Sequence, residues 1–319
     1  MALFLSENDV KAVLTAEMAL AGVAAAHRDL ALGQAVDIPR ARSRLPQTVL
    51  HILQGALPAQ GVIGYKAYTS NRSGNRFVVH LFDAATGISL AQIEADFLGM
   101  MRTGAASGVA AKCLARSGAS VAGVFGSGWQ AEGHVRALCA ALPLKQVKVF
   151  GRSVDKLHTF CARLSEQTGV SVEPAASAQA TVENSDLIGT VTTAALPLFE
   201  AAWLAPGTHI NAAGSNALVR QELSEATIRR CDLVVVDSVA TALAESGDLQ
   251  PLLEKGRLHS RQLIELGDLL IGRHPGRQSD QEITLFESQG MAIQDLSVAR
   301  LVLEAAKAQG LGREINGSV

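Results

Sequence analysis

The chain is poor in aromatic residues, poor in charge and nearly without cysteine. Of its 319 residues 4% are aromatic and 18% charged, and 28 Lys+Arg stand against 30 Asp+Glu, a formal net charge of −2. Nucleic-acid binding needs a basic excess and stacking aromatics, so nucleic acid is set aside as a partner. The four cysteines, Cys113, Cys139, Cys161 and Cys231, form no C-x-x-C pair and no Cys/His cluster. Neither a zinc site nor a disulfide framework is predicted, and no metal is expected. No apolar run approaches the about 18 residues of a membrane span. The opening MALFLSENDVK lacks a basic leader region, so no membrane partner is expected and the location is read as cytoplasmic. What is abundant is apolar residues, 48% of the chain, together with 29 glycines. That composition supplies large cores for about two domains at ~150 residues each, and a small-molecule partner.

Residues 6–33 read as helix, with Ser6 and Thr15 as N-caps and Gly33 as the stop. Residues 38–98 alternate short extended runs with turn signals, the pattern of an antiparallel meander with hairpins at Asn71–Asn75 and Ala84–Gly87. Residues 103–116 form a small-residue helix. From Ala119 onward apolar strands alternate with helices, which predicts a parallel doubly wound α/β sheet. The segment 291–309 reads as a long amphipathic helix. The domain boundary is expected near residue 117.

The strongest chemical signal is Gly126-Ser127-Gly128-Trp129-Gln130-Ala131, a G-x-G-x-x-A fingerprint. It follows an apolar strand and opens a helix, and a second strand ends about 20 residues later at Phe150, the context a dinucleotide site requires. Gly126 permits a tight turn, Gly128 a close backbone approach to pyrophosphate, and Ala131 close helix–strand packing. After the second strand the chain reads Gly151-Arg152-Ser153. A carboxylate there would accept from the ribose 2′-OH of NAD(H). Its absence, with Arg152 and Ser153 in place, favours NADP(H), with NAD(H) as the alternative.

A nicotinamide domain needs a substrate-facing partner. Arg42, Arg44, Lys66 and Arg102 are the candidates in residues 38–110. Lys66 lies in an otherwise mostly apolar strand, where an interior lysine is uncommon unless functional or paired. Arginine is the natural bidentate clamp for a carboxylate.

At this point the chain resembles the ornithine cyclodeaminase/mu-crystallin family along nearly its whole length. The segments that carry the resemblance are GYKAYT (64–69), LFDAATG (81–87), MRTGAASGVAAKCLAR (101–116), GSGWQAEG (126–133), HINAAGSN (209–216), VVVDSVATALAESGD (234–248) and ITLFESQGMAIQDLSVARL (283–301). The resemblance implies a homodimer with a smaller α+β substrate and dimerisation domain, residues 1–117 plus 291–319. It also implies a Rossmann dinucleotide-binding domain, residues 118–290. It makes Lys66 the catalytic lysine, Arg102 a carboxylate clamp, and Arg42, or the nearby Arg44, the first clamp arginine. Thr192 and Thr193 would line the nicotinamide side, and Ser288 and Gly290 would close over the cofactor.

One departure stands out. Members that cyclise ornithine carry an acidic residue where this chain has Asn216, in Gly214-Ser215-Asn216-Ala217-Leu218. An amide hydrogen-bonds but does not shuttle a proton. The resemblance therefore implies an NAD(P)H-dependent imine reductase forming an L-amino acid, such as a 1-pyrroline-2-carboxylate or 1-piperideine-2-carboxylate reductase, with Lys66 as proton donor and Asn216 beside the substrate amine. An alanine dehydrogenase or iminosuccinate reductase, an ornithine cyclodeaminase, and a non-catalytic crystallin-like binding protein are the alternatives. Neighbouring guanidiniums are expected to lower the Lys66 pKa.

Overall fold

The structure is a computed structural model and describes residues 2–315. Its strands, in chain order, are β1 (Ala2–Leu5), β2 (Val36–Arg44), β3 (Thr48–Leu57), β4 (Val62–Asn71), β5 (Gly74–Asp83), β6 (Ser89–Glu94), β7 (Val121–Phe125), β8 (Gln146–Phe150), β9 (Ser171–Pro174), β10 (Leu187–Thr190), β11 (His209–Ala212), β12 (Leu233–Val236), β13 (Leu263–Glu265), β14 (Thr284–Glu287) and β15 (Arg313–Ile315). The chain divides into two compact units, residues 1–102 with 291–319, and residues 103–290. Sequence reasoning put the first boundary near 117. The division falls earlier, after Arg102, within the uninterrupted helix Asp96–Leu114.

The first unit is built on a seven-stranded sheet in the order β15-β1-β6-β5-β4-β3-β2. The meander β2–β6 is antiparallel, and β1 joins β6 in parallel. Two helices precede it where a single one was expected, α1 (Glu7–Val13) and α2 (Ala16–Ala31). The break is local chemistry: Ser6 caps the first in a capping box with Asp9, and Thr15 caps the second by accepting from the Met18 amide. The C-terminal helix Ala292–Ala308 lies on one sheet face. There Gly55 and Gly64, paired across β3 and β4, leave room for it: a Cβ at Gly55 would meet Ile293 at 3.0 Å and one at Gly64 would meet Leu296 at 3.2 Å.

The second unit has an all-parallel sheet in the order β13-β12-β14-β11-β10-β7-β8-β9. The order reverses between β7 and β10, the switch point at which such α/β sheets take their ligands. Its core packs Val124, Ala131, Val135, Val149 and Leu164 on one side, and Phe125, Ile188, Ile210 and Leu285 on the other. The fold is thus α/β, a doubly wound Rossmann sheet plus a smaller α+β unit. Among the described residues no single helix is long and apolar enough to cross a membrane.

Candidate active site

Lys66 is central to the first unit. In β4 it pairs with Leu53 of β3 and Val79 of β5, and only 2% of it is exposed. A buried ammonium requires a counter-ion. Asp295, on the C-terminal helix, supplies it: Lys66 Nζ donates to Asp295 Oδ1 at 2.8 Å. The same oxygen accepts from Arg102 Nε at 3.1 Å. Arg102 further donates through NH1 to Gln294 Oε1 at 2.8 Å. The Phe77 ring lies 4.9 Å from Lys66 Nζ. Two cations therefore share one oxygen of one carboxylate, while Asp295 Oδ2 has no hydrogen-bond partner among the described residues. The centre keeps an excess of positive charge, which suits an anionic substrate.

Burial pushes the Lys66 pKa down to about 8, helped by the Arg102 and Arg40 guanidiniums and opposed by Asp295. The direction agrees with the sequence argument, but the principal cause is desolvation rather than neighbouring charge. Sequence reasoning gave Asp295 either a contact with the nicotinamide domain or a helix cap and did not pair it with Lys66. The residue lies 229 positions from Lys66, so no local spacing reveals the pair. The available signal was a carboxylate within an apolar helical run, AIQDLSVARLVL.

Arg42 and Arg44 are placed differently from Arg40. A bulge between Ile38 and Ala41 puts Pro39 and Arg40 together opposite Leu53, the cross-strand neighbour of Lys66. Arg42 pairs with His51 and Arg44 with Val49. Burial, with Arg40, Arg42 and Arg44, holds the His51 pKa down at about 4, and Arg40 also bears on Lys66. His51 stacks on Tyr68 at 4.2 Å and contacts Ser70 Oγ at 2.9 Å.

Gly99, on the helix Asp96–Leu114, faces the ammonium: a Cβ there would sit 3.0 Å from Lys66 Nζ. Gly99→Ala is expected to lower the melting temperature, since shifting the buried Lys66 ammonium off Asp295 outweighs the about 0.5–1 kcal/mol by which alanine favours a helix interior. It should lower turnover by up to about 10²-fold through the displaced Nζ. Thermal denaturation and steady-state kinetics on the same preparation check both halves.

In the second unit the fingerprint fits a dinucleotide. Gly126 ends β7 at φ +115°, and a Cβ there would lie 2.6 Å from Val191 O, so only glycine keeps this turn. Gly128 is the N-cap of the helix Trp129–Ala141, no side chain caps that helix, and a Cβ at Gly128 would point into open space. The helix N-terminus is thus presented to a phosphate. Ala131 is fully buried; Trp129 and Ser127 flank the turn, with Trp129 46% exposed. A Cβ on Gly151 would approach Ser127 Oγ at 2.7 Å, which keeps the end of β8 clear. Arg152 and Ser153 are exposed beside it, and Gln130 is half-buried.

The loops expected near the nicotinamide are held by buried carboxyls. Thr192 donates its amide and hydroxyl to Glu222 Oε1, each at 2.6 Å, and Thr193 is exposed. The Gly214 amide donates to Glu222 Oε2 at 2.8 Å, and Ser215 Oγ donates to Glu287 Oε1 at 2.6 Å. Asn216 Oδ1 accepts from Arg220 NH1 at 2.9 Å, so its carbonyl serves its own loop. Ser288 is buried and donates to Asp237 Oδ2 at 3.1 Å, and the Gly290 amide donates to the same oxygen at 2.6 Å. Asp237 and Glu287 lie in segments that carry the family resemblance, but sequence reasoning gave neither a role.

Comparison with known proteins places the whole chain. The Delta(1)-pyrroline-2-carboxylate reductase of Bacillus cereus is 38% identical over 239 residues, 75% of this chain and 73% of that protein. The Thermococcus litoralis Delta(1)-pyrroline-2-carboxylate reductase, solved in complex with NADH and L-proline, matches with a TM-score of 0.93 at 30% identity over 98% of this chain and 100% of that one. An archaeal alanine dehydrogenase, solved as a dimer with bound NAD, matches with a TM-score of 0.92 at 30% identity over 99% of both chains. The ornithine cyclodeaminase/mu-crystallin profile spans residues 1–310, both compact units, and the chain belongs to that family.

Proposed function

We propose that this protein is an NAD(P)H-dependent imine reductase that forms an L-amino acid, with a cyclic α-imino acid such as 1-pyrroline-2-carboxylate as substrate. The observation that carries the reading is the buried Lys66–Asp295–Arg102 centre, with two cations on one carboxylate oxygen. Arg102 clamps the substrate carboxylate, and Arg40, Arg42 and Arg44 add positive charge from β2. Fixing that carboxylate orients the C=N bond. When bound, the reduced cofactor supplies the hydride that the imine carbon accepts. Lys66, with a pKa near 8, is mostly ammonium at neutral pH and donates the proton that the nitrogen needs. Asp295 holds Nζ in place for that transfer. The Asn216 amide assists at the substrate nitrogen without titrating. Arg152 and Ser153, with no carboxylate at the end of the second strand, favour NADP(H), whereas the solved relatives hold NAD(H).

The test is oxidation of NADH and NADPH with 1-pyrroline-2-carboxylate and 1-piperideine-2-carboxylate, with the L-amino acid identified as product. A second reading, reductive amination of a small oxoacid, rests on the full-length match to alanine dehydrogenase. It is assigned instead if oxidation requires pyruvate or oxaloacetate with ammonia. Ammonia release from ornithine without net cofactor consumption would restore the cyclodeaminase alternative. Tight cofactor binding with no turnover of any imine would make it a binding protein.

The reading includes a cytoplasmic homodimer. The sheet face opposite Lys66 exposes Val36, Ile38, Leu50, Ile52 and Ile63, an apolar patch of the kind that marks a subunit interface. Ile52→Glu places a charge in that patch and is expected to shift the protein from dimer to monomer in sedimentation velocity.

A further inference from the structure

Behind Arg102 stands a histidine that the chemistry above does not use. His27, on α2, is 1% exposed, and its Nε2 lies 3.0 Å from Gln294 Nε2. The other end of the same amide, Gln294 Oε1, accepts from Arg102 NH1 at 2.8 Å and from the Met291 amide at 3.4 Å. Four side chains thus run in series from α2 to the helix that carries Arg102 and on to the shared carboxylate: His27, Gln294, Arg102 and Asp295.

Donor and acceptor chemistry fixes every orientation in that series. A guanidinium only donates, so the carboxamide oxygen must face Arg102. The amide nitrogen must then face His27, and it only donates. His27 Nε2 is therefore the acceptor: the ring is neutral and its proton sits on Nδ1. That Nδ1 is buried without a hydrogen-bond partner among the described residues. An N–H at Nε2 would set donor against donor. Relief would come only from turning the amide over, which removes the acceptor from Arg102.

We propose that His27, as the neutral Nδ1–H tautomer, is a positioning residue for substrate binding: it locks the Gln294 carboxamide, which in turn fixes the Arg102 guanidinium for the imino-acid carboxylate. Its role as stated for the imino acid rests on the function proposed above. Burial supports it, since desolvation lowers the His27 pKa to about 4 and keeps the ring neutral through physiological pH. The role is specific to one end of the substrate. It predicts a change in substrate KM and none in cofactor affinity.

His27→Phe keeps a ring of similar size and removes the acceptor; His27→Gln returns an acceptor oxygen at the place of Nε2. His27→Phe is expected to raise KM for the imino acid about tenfold, equivalent to about 1.4 kcal/mol, with NADH affinity unchanged, and His27→Gln is expected to recover most of it. An unchanged KM in His27→Phe, or a His27→Gln as impaired as His27→Phe, overturns the proposal. So does a parallel loss of NADH affinity in His27→Phe, which would mean general damage to the fold. Nitrogen-15 NMR of the wild-type protein tests the tautomer without any turnover, and so separates this proposal from the identity of the substrate. A protonated Nδ1 with a bare Nε2 is expected, and a protonated Nε2 refutes it.

Discussion

Lys66→Met is expected to lower turnover by about 10²–10⁴-fold, the range spanned by general acid–base groups. Methionine keeps most of the apolar stem in its slot beside Leu53, Val79 and Phe77 and removes only the proton-bearing end. The fingerprint that fits the cofactor lies in the other compact unit, so NADH and NADPH binding, measured by quenching of protein fluorescence, should persist. The wild-type pH profile carries the same signature. In the direction of imine reduction kcat/KM should fall as pH rises through about 8, where Lys66 loses its proton. Oxidation of the amino acid needs the free amine, so its kcat/KM should rise through the same pH. A variant with near-normal turnover, or a wild-type profile flat through this range, would remove Lys66 from the proton transfer.

Asp295→Asn should be the most destabilising conservative change in the centre. It preserves shape but leaves Lys66 and Arg102 buried without their carboxylate, and stranding a buried charge costs about 3–5 kcal/mol. The loss should depend on pH in a definite sense. The Lys66 pKa is about 8 in the folded protein against 10.5 when unperturbed, so between those values the unfolded chain binds more protons and stability rises with pH. Removing the one group that opposes this depression lowers the folded value further and opens the window at lower pH. Urea denaturation at neutral and at alkaline pH should show Asp295→Asn weakest at neutral pH and recovering as Lys66 deprotonates. Equal losses at both would mean that Asp295 acts through packing rather than charge.

Most of the fold was legible because its signals are local. The meander is written as period-two runs with turn residues between, the caps at Ser6 and Thr15 are side chains next to their helices, and Gly126–Ala131 sits between a strand and a helix. Short edge strands were not legible: Ser171–Pro174 and Leu263–Glu265 are too brief to show a period. The start of the helix at Asp96 was also missed, since its early turns read as an apolar stretch and the Glu7 carboxylate that accepts from its first amides comes from far away in sequence. The same holds at the site. Lys66 and Arg102 are conspicuous as cations in apolar runs. Their counter-ion, the Gln294 link and the bulge that advances Arg40 all arise from long-range pairing, which spacing along the chain does not encode.

The insertion of residues 103–290 into the first unit sets an order of assembly. On the ribosome the second unit is complete in sequence before Ala292–Ala308 is made, while Lys66 and Arg102 have already emerged. Until that final helix docks, their charges stay hydrated and the meander's glycine-lined face stays bare. The Lys66–Asp295–Arg102 ion pair is therefore among the last contacts of the first unit to form, since it closes only when synthesis has passed Asp295.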